Sequence, residues 1–439
     1  LFGLKERKRE VNIDDALRFA DILSKSSKEE HATWAQEIVA LLKEIEPQNK
    51  DVIFYLNSVL SNTGNYQGLE TSRNRCKNQP EFCSNLFDIF YEEFNKDHVS
   101  IPAEPDKLFF RPQKNIYDKL ASQYFSYSGP TSMGKSFIMR MFIKKQLQEG
   151  KKYDFAIIVP TKALINEISN KMILDLGSLL YEKNYRVVTS AGALALEEKH
   201  KFIYVLTPER LLYFLIKYKD KSIDYLFIDE AHKISSRDNR SSFYYKCIDM
   251  LAQKRNKPHI IFASPNIPNP EVYLDLIPES IKTQQKDNTL TTFFSPVSQV
   301  KYVIDCIDGG ISLYNDRQGK LLQISDIILK ASLVNIVDKL GENSQTIIYF
   351  NSKESAIQAA IDYASNKAEK HNSELDALAK EIANQVHKDY FLVSLIKKGV
   401  AYHIGYLPAA IRMKIEKLFR EKIITAMFCT STLVEGVNL

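Results

Sequence analysis

Residues 129–136 read Gly-Pro-Thr-Ser-Met-Gly-Lys-Ser, which places two glycines five positions apart with Lys135 and Ser136 directly behind the second one. Glycines allow backbone N–H groups to close on phosphate oxygens, and the start of a following helix adds partial positive charge. In the pattern that this spacing fits, the lysine reaches the outer phosphates of ATP and the hydroxyl ligates Mg²⁺. The alternative is a glycine-containing turn before a helix. We predict that the following residues bind the phosphates: Gly129, Thr131, Ser132, Met133, Gly134, Lys135 and Ser136.

A second group of residues that could take part in chemistry is Asp229-Glu230-Ala231-His232, which follows the apolar run Tyr-Leu-Phe-Ile. A strand that ends in an acid is where a phosphate-loop ATPase places its second contact to Mg²⁺. We therefore predict that Asp229 and Ser136 hold the metal and that Glu230 orients or deprotonates the attacking water. His232 and Lys135 complete the predicted catalytic set. The alternative is that the acids only cap the turn after the strand.

Short apolar segments alternate with longer helical ones from about residue 108 onward, and these elements would position the two patterns. The apolar segments include "YFSYS", "FAIIVP", "YRVVTS", "FIYVLTP", "YLFIDE" and "HIIFASP". Continuously apolar strands that are separated by helices indicate a parallel sheet covered on both faces. The glycine pattern lies between a predicted strand and a predicted helix, which is the context that a phosphate loop requires.

The spacing of apolar residues changes along the sequence and divides the chain into four predicted regions. Residues 1–105 carry apolar residues at helical spacing and are predicted to form a helical domain, with a polar loop near residues 61–80. Residues 106–270 are predicted to form the first α/β domain. Residues 271–330 read as a linker with a β-hairpin excursion, and residues 331–439 as a second α/β domain that is incomplete at its C-terminal end.

Composition narrows the class of protein. The 439 residues are 44% hydrophobic and 26% charged, as in ordinary globular proteins, and no apolar run approaches the ~18 residues that span a bilayer. The five cysteines match no zinc spacing and favour reduced thiols in a cytoplasmic protein. A net charge of +5 permits a nucleic-acid partner without arguing for one. We predict a cytoplasmic protein with no membrane partner.

The two patterns resemble motifs I and II of superfamily-two helicases of the DEAH-box type. Further segments resemble motifs Ia, Ib, III, IV and V in family order, namely "VPTKALINEI", "LTPERL", "ASPNIPNP", "IIYFNSKESA" and "FCTSTLVEGVNL". The residues of these motifs most resemble those of the superkiller-like branch, whose members move along DNA or RNA. The resemblance covers about residues 108–439 and implies an α/β fold of tandem RecA-like parallel-sheet domains, preceded here by the all-helical N-terminal domain.

The resemblance also implies roles for residues outside the two patterns. Gln113 stands where the family reads adenine, with an ordinary surface glutamine as the alternative. Gly436 and Asn438 would face the nucleotide. The residues implied in contacts with the nucleic-acid backbone are Pro160, Thr161, Lys162, Thr207, Arg210, Asn351, Ser352, Thr430, Ser431 and Thr432. For the contacts in the first domain, cap and turn chemistry is the alternative.

Two departures from the family pattern matter. The third motif usually reads Ser-Ala-Thr, whereas this chain has Ser264-Pro265-Asn266. Proline removes a backbone donor, which puts in question the link through Ser264 between the metal-holding Asp229 and strand movement. The sequence also stops at Leu439, directly after the fifth motif, and a sixth motif with its arginines is absent from it, so we expect either that the protein continues or that this is a fragment.

The sequence therefore predicts an ATP hydrolase that uses Mg²⁺ and couples turnover to movement on nucleic acid, with DNA favoured over RNA. The alternative is an ATP-gated clamp or sensor that binds nucleic acid and regulates a partner effector without unwinding. Bacterial relatives of this architecture include helicase subunits of antiphage systems of the Hachiman type, which work with a nuclease. By that analogy a nuclease or effector protein is a candidate partner, and residues 1–105 either pack around the motor or dock such a partner.

Overall fold

The computed structural model describes residues 12–75, 86–190, 200–235, 240–277, 288–295, 300–305, 307, 310–315, 319–325, 333–341 and 344–434. The chain divides into two compact units, Leu1–Gln299 and Val300–Leu439. No helix within the described residues combines the length and the apolar character needed to cross a bilayer.

Helices fill the beginning of the first unit. They are α1 (Ile13–Ser24), α2 (Glu29–Ile45), α3 (Lys50–Asn62), α4 (Tyr66–Arg75) and α5 (Leu86–Val99). The first three share a core to which each helix contributes a fully buried residue, namely Leu17, Val39 and Val59. The Asn12 side chain caps α1 by accepting from the backbone N–H of Asp14 at 3.0 Å. The predicted all-helical N-terminal segment is confirmed.

The predicted loop near residues 61–80 is wrong over α4. Tyr66 and Leu69 are buried at 2% and 1% exposure, and they attach this otherwise polar helix to a small cluster with Val99. A single pair of apolar residues three positions apart stabilises the helix through packing, whereas its glycine and its polar residues suggested a loop.

A seven-stranded parallel sheet forms the body of the first unit, with the strand order β5-β6-β4-β7-β8-β3-β9. A short antiparallel pair, β1 (Ser100–Ile101) and β2 (Glu104–Leu108), precedes it. The strands of the sheet are β3 (Tyr124–Ser128), β4 (Phe155–Ile158), β5 (Tyr185–Val188), β6 (Lys201–Leu206), β7 (Tyr225–Ile228), β8 (His259–Ser264) and β9 (Thr289–Thr291). The helices between them are α6 (Arg111–Lys119), α7 (Lys135–Gln148), α8 (Lys162–Leu176), α9 (Leu179–Glu182), α10 (Pro208–Lys217) and α11 (Ser241–Ala252).

Both faces of this sheet are covered, as the continuously apolar strands predicted. Along β4, Phe155 and Ile157 join a core with residues of α7 and α8, while Ala156 and Ile158 join a core with residues of α10 and α11. Successive side chains of a strand point to opposite faces, so a strand that is buried on both faces is apolar at every position.

The second unit contains an antiparallel and a parallel sheet. The antiparallel sheet has the strands β10 (Lys301–Asp305), β11 (Gly310–Asn315) and β12 (Lys320–Ser325). The parallel sheet has the order β13-β15-β14, with β13 (Thr346–Tyr349), β14 (Val400–His403) and β15 (Ala426–Cys429). The helices of this unit are α12 (Leu333–Gly341), α13 (Lys353–Ser365), α14 (Ser373–Gln385), α15 (Phe391–Lys397), α16 (Ala409–Arg420) and α17 (Ser431–Val434).

The two parallel sheets are consistent with tandem RecA-like domains, so the predicted fold class is confirmed. The predicted linker 271–330 contains the antiparallel sheet and also β9, which pairs in parallel with β3 at the edge of the first sheet. The boundaries near residues 105, 270 and 330 stay predictions.

The start of the first sheet is fastened by Asp154, whose side chain is 13% exposed. Its carboxylate accepts from the backbone N–H of Phe202 at 2.8 Å and from Lys201 Nζ at 2.7 Å. Its own backbone N–H donates to Asp224 Oδ2 at 2.6 Å. One residue therefore ties together the chain segments that lead into β4, β6 and β7.

We expect Asp154→Ala to lower the free energy of unfolding by about 2 kcal/mol, because a half-buried N–H and an ammonium lose their acceptor. Urea denaturation of the variant and the wild type measures the difference. Asp106→Ala, at an exposed position of β2, is the matched control and should change little. Equal losses in the two variants would show that Asp154 has no special structural role.

Candidate nucleotide-binding site

The glycine pattern forms a tight loop between β3 and α7. A short 3₁₀ turn, Thr131–Met133, follows Gly129 and Pro130, and Gly134 has a φ of +78°, which favours glycine. A Cβ atom on Gly129 would lie 2.6 Å from the Met133 side chain and 3.0 Å from Thr292 Cγ2. A side chain at position 129 would therefore displace its neighbours, and one at position 134 would strain the backbone. The strand-loop-helix context of a phosphate loop is present.

The side chains of this loop divide into exposed and buried ones. Thr131 and Ser132 are exposed, whereas Met133 is fully buried and Lys135 is 4% exposed. Lys135 Nζ donates to the carbonyl oxygens of Gly129 and Pro130 at 3.2 and 3.3 Å. Burial lowers the pKa of the Lys135 ammonium, against the attraction of the two neighbouring acids. The lysine thus lies inside the curve of the loop.

Gln113 braces the phosphate loop from α6. Its Nε2 donates to the Met133 carbonyl oxygen at 2.7 Å, and its Oε1 accepts from the backbone N–H of Phe110 at 2.9 Å. At 5% exposure it is not a surface glutamine. The sequence placed this residue at the adenine, and the structure places it next to the phosphate loop with both ends of its amide bound to backbone.

Ser136 and Asp229 come together across the sheet. Ser136 Oγ donates to Asp229 Oδ2 at 3.0 Å, and the backbone N–H of Glu230 donates to Asp229 Oδ1 at 3.0 Å. Burial raises the pKa of Asp229 to about 6; Glu230 adds to the rise, while Lys135 and Ser136 oppose it. A hydroxyl and a carboxylate on adjacent elements form the small oxygen-ligand set that Mg²⁺ prefers, since this ion keeps several waters.

Glu230 and His232 lie on the turn that follows β7. Glu230 has a φ of +54°, an uncommon and strained conformation for a residue with a side chain. Burial raises the pKa of Glu230, while Lys135 and Lys233 oppose that rise. His232 Nδ1 lies 3.3 Å from Glu230 Oε2, and burial followed by Lys233 lowers the pKa of the imidazole. Strain and shifted pKa values at one turn are typical of functional sites.

The third motif contacts β3 and the phosphate loop rather than Asp229, the acid that is predicted to hold the metal. Ser264 Oγ donates to the Tyr127 carbonyl oxygen on β3 at 3.3 Å, so the expected link from Ser264 to Asp229 is not the hydrogen bond that forms. The backbone N–H of Ile267 donates to Ser128 Oγ at 2.6 Å, and the N–H of Gly129 donates to the Ser264 carbonyl oxygen at 3.2 Å. The residues on either side of Pro265 and Asn266 are thus bonded to the end of β3 and to the phosphate loop, Ile267 as a backbone donor and Ser264 as a backbone acceptor.

The predicted nucleic-acid residues of the first unit lie at the same sheet edge, after β4 and β6. Thr161 caps α8 by accepting from the N–H of Leu164 at 3.3 Å, as the cap alternative anticipated, and Lys162 is exposed. Pro160 and Thr207 are buried, and Arg210 Nη1 donates to the Thr189 carbonyl oxygen at 2.8 Å. Lys162 is therefore the residue of this group with the most accessible charge.

In the second unit the predicted residues follow the carboxyl ends of β13 and β15. Asn351 and Ser431 are exposed, and Ser352 caps α13 by accepting from the N–H of Ser355 at 3.2 Å. The N–H of Thr430 donates to the His403 carbonyl oxygen on β14 at 3.3 Å. Thr432 lies within α17. Gly436 and Asn438 lie outside the described residues.

The sequence did not predict a contact between the helical segment and the residues that follow β9, next to the phosphate loop. Glu29 Oε2, at the start of α2, accepts from Thr292 Oγ1 at 2.7 Å and from the N–H of Phe293 at 3.3 Å. The N–H of Thr292 in turn donates to the Ser128 carbonyl oxygen at 3.0 Å. This contact supports packing of the helical segment on the α/β domain. No sequence pattern predicts it, because acidic residues are common in the first turn of any helix and Glu29 does not stand out among them.

Comparison with known proteins agrees with this geometry. The family model of DEAD/DEAH box helicases matches residues 111–273, which include Gln113, the phosphate loop, the acidic turn and the third motif. The chain is 24% identical over 363 residues to the ATP-dependent DNA helicase Hel308 of Methanococcus vannielii, an alignment that covers 75% of this chain and 44% of that protein.

Two further relatives extend the comparison. The Hachiman protein HamB of Bacillus cereus is 22% identical over 476 aligned positions, which cover 90% of this chain and 42% of that protein. The exosome RNA helicase MTR4 of Homo sapiens is 23% identical over 396 residues, covering 78% of this chain and 36% of that protein. The chain thus spans less than half the length of these relatives. The resemblance to DEAH-box helicases is confirmed over residues 111–273, the part of the chain that the family model matches.

Proposed function

We propose that the protein is a nucleic-acid-dependent ATP hydrolase that couples turnover to movement on a strand. The observation that carries the proposal is the hydrogen bond between Ser136 Oγ and Asp229 Oδ2 at 3.0 Å. Lys135 is buried at the adjoining loop, and Glu230 directly follows Asp229 in the sequence. Phosphate binding, metal binding and water activation need these groups within a few ångströms of one another. Their convergence at one edge supports hydrolysis over simple nucleotide binding.

Each residue has a distinct task in this proposal. The N–H groups of the loop and the Lys135 ammonium hold the outer phosphates, while Ser136 and Asp229 hold Mg²⁺. When bound, the metal neutralises charge on the phosphates. Glu230 orients the attacking water and takes its proton, a role that its raised pKa favours, since a base whose pKa lies closer to neutral transfers protons more effectively.

Lys162 and the hydroxyls at the carboxyl ends of the strands are proposed to contact the nucleic-acid backbone. Contacts of this kind position a strand without reading its sequence, as a motor requires. We favour DNA because Hel308 is named a DNA helicase, although MTR4 is named an RNA helicase. The likeness to HamB supports a role in antiviral defence with a nuclease or another effector as the partner, and a cytoplasmic location stays a prediction.

The second candidate is an ATP-gated clamp or sensor that binds nucleic acid and controls an effector without unwinding. The altered third motif favours it, because Ser264 bonds to Tyr127 and not to the metal-holding acid. A motor needs a relay from the nucleotide to the strand-gripping loops, and this chain would have to route it through the backbone bonds around Pro265.

Lys135→Ala should abolish ATP turnover and weaken ATP binding at least tenfold, since the loop loses the only side-chain charge we assign to the phosphates. Binding of a fluorescent ATP analogue to the complete protein measures the effect. Lys162→Ala, an exposed lysine of the same charge, is the control and should bind the analogue normally. Unchanged binding in Lys135→Ala would remove the assignment of the phosphate loop.

Glu230→Gln should bind ATP normally and hydrolyse it at least ~10²-fold more slowly, the scale expected for the loss of a positioned base. Single-turnover hydrolysis with the complete protein separates this chemical step from binding. If turnover stays within a few-fold of the wild type, Glu230 shapes the strained turn and takes no part in the reaction.

Strand displacement distinguishes the motor from the clamp. On a tailed DNA duplex, the complete wild-type protein should displace the strand only when ATP is supplied, and Glu230→Gln should displace none. Parallel reactions on an RNA duplex test the choice of nucleic acid. Brisk ATP turnover that DNA stimulates, without displacement on any substrate, would instead establish the clamp or sensor.

A further inference from the structure

Arg240, at the start of α11, bridges two loops of the first unit. Its Nε and Nη2 donate to Oε1 and Oε2 of Glu209 at 2.5 and 3.0 Å, and its Nη1 donates to the Pro160 carbonyl oxygen at 2.7 Å. The planar guanidinium holds a carboxylate in a two-pronged contact and still reaches a carbonyl on another strand end. Lysine has no equivalent of this geometry.

The two partners of Arg240 belong to the loops proposed to contact nucleic acid. Pro160 lies two residues after the end of β4 and directly precedes Thr161 and Lys162. Glu209 lies in the first turn of α10, next to Arg210. Although burial alone would raise it, hydrogen bonds from Arg240 and Thr207 lower the pKa of Glu209, so the carboxylate is charged and held from both sides.

Arg240 is also connected with the acidic turn. Ala231 and Ile234, which follow Asp229 and Glu230, share one buried core with Tyr244 and Ile248 of α11. A displacement of this helix would thus be felt both at the loops that Arg240 holds and at the turn that carries the proposed base. Interiors are close-packed and transmit such strain.

The stability gained from the contact is small. The side chains of Arg240 and Glu209 are 34% and 35% exposed, and an ion pair this accessible contributes little to the free energy of unfolding. A contact of low energy but fixed geometry, placed between two functional loops, is better explained by positioning than by stability.

We propose that Arg240 is a positioning residue, which fixes the loops at residues 160–162 and 207–210 relative to each other so that a nucleic-acid strand meets both at once. The proposal rests on the proposed function for its consequence: binding of the strand at the paired loops is communicated through α11 to the acidic turn. Loss of the bridge should weaken the response to nucleic acid more than it weakens basal turnover.

The test compares Arg240→Gln, Arg240→Lys, Glu209→Gln and the double variant Arg240→Gln/Glu209→Gln in the complete protein. Arg255→Gln removes the same charge from an exposed position of the same unit and is the matched control. With oligo(dT) and oligo(U) as probes, the half-saturating concentration for ATPase stimulation should rise about tenfold in every bridge variant. The double variant should be no worse than the singles, because the partners act as one unit, and lysine should not rescue.

A direct contact from Arg240 to a phosphate gives a different result. In that case the salt dependence of nucleic-acid binding should weaken by about one counterion in Arg240→Gln but not in Glu209→Gln. Positioning predicts the same salt dependence in both single variants. Unequal slopes, additive effects, or a response to nucleic acid like that of Arg255→Gln would each overturn the proposal.

Hydrogen exchange without nucleic acid tests the bridge independently of the proposed function. In Arg240→Gln, amides of residues 161–164 and 209–211 should exchange at least several-fold faster than in the wild type, while those of β3 and β8 should not change. Unaltered exchange in both loops would overturn the positioning role even if nucleic acid stimulates the ATPase. A different outcome is that nucleic acid does not stimulate the wild-type ATPase while the two loops still exchange faster in Arg240→Gln. That result would overturn the proposed function and the communication through α11, and would support only the structural bridge made by Arg240.

Discussion

Parallel pairing of the strands in the first sheet is the constraint on which the site depends. Because β3, β4, β6, β7 and β8 all run in the same direction, their carboxyl ends meet at one edge. The phosphate loop, the acidic turn and the loops at 160–162 and 207–210 therefore come together from distant parts of the sequence. In open α/β sheets, ligands bind outside the carboxyl ends of the strands.

Several ionisable side chains are buried at the same edge, where removal from water disfavours their charged forms. Asp229 is buried beside Glu230, and burial raises the pKa of both carboxyls. Lys135 is buried next to them, and burial lowers the pKa of its ammonium. Burial disfavours the charged form of each group. The attraction between Lys135 and the two acids, the Ser136 hydroxyl, the backbone N–H of Glu230 and the charge of Lys233 act against this cost. Such an arrangement contributes little to stability, and together with the positive φ of Glu230 it is better explained by function.

Elements with a strong local pattern could be predicted from the sequence, whereas features that depend on contacts between distant residues could not. The strands β3, β4, β7 and β8 were predicted because a short run of mostly apolar residues is typical of a strand that is buried on both faces of a parallel sheet. The three-residue β9 was missed, since so short a run carries no signal and its pairing with β3 depends on distant contacts. The bridging role of Arg240 was missed for a similar reason: an arginine in a polar stretch reads as a solvated charge, and only the fold shows its partners on two other strand ends.

The central claim is that one sheet edge binds both the nucleotide and the nucleic acid, so that the two ligands are energetically coupled. Coupling of binding is reciprocal. The most direct measurement is the affinity of the complete protein for single-stranded oligonucleotides, by fluorescence anisotropy, with and without a non-hydrolysable ATP analogue and Mg²⁺. The account predicts that the analogue changes this affinity at least about fivefold, the low end of typical coupling. The same affinity with and without the analogue, under conditions where the analogue saturates the site, would contradict it.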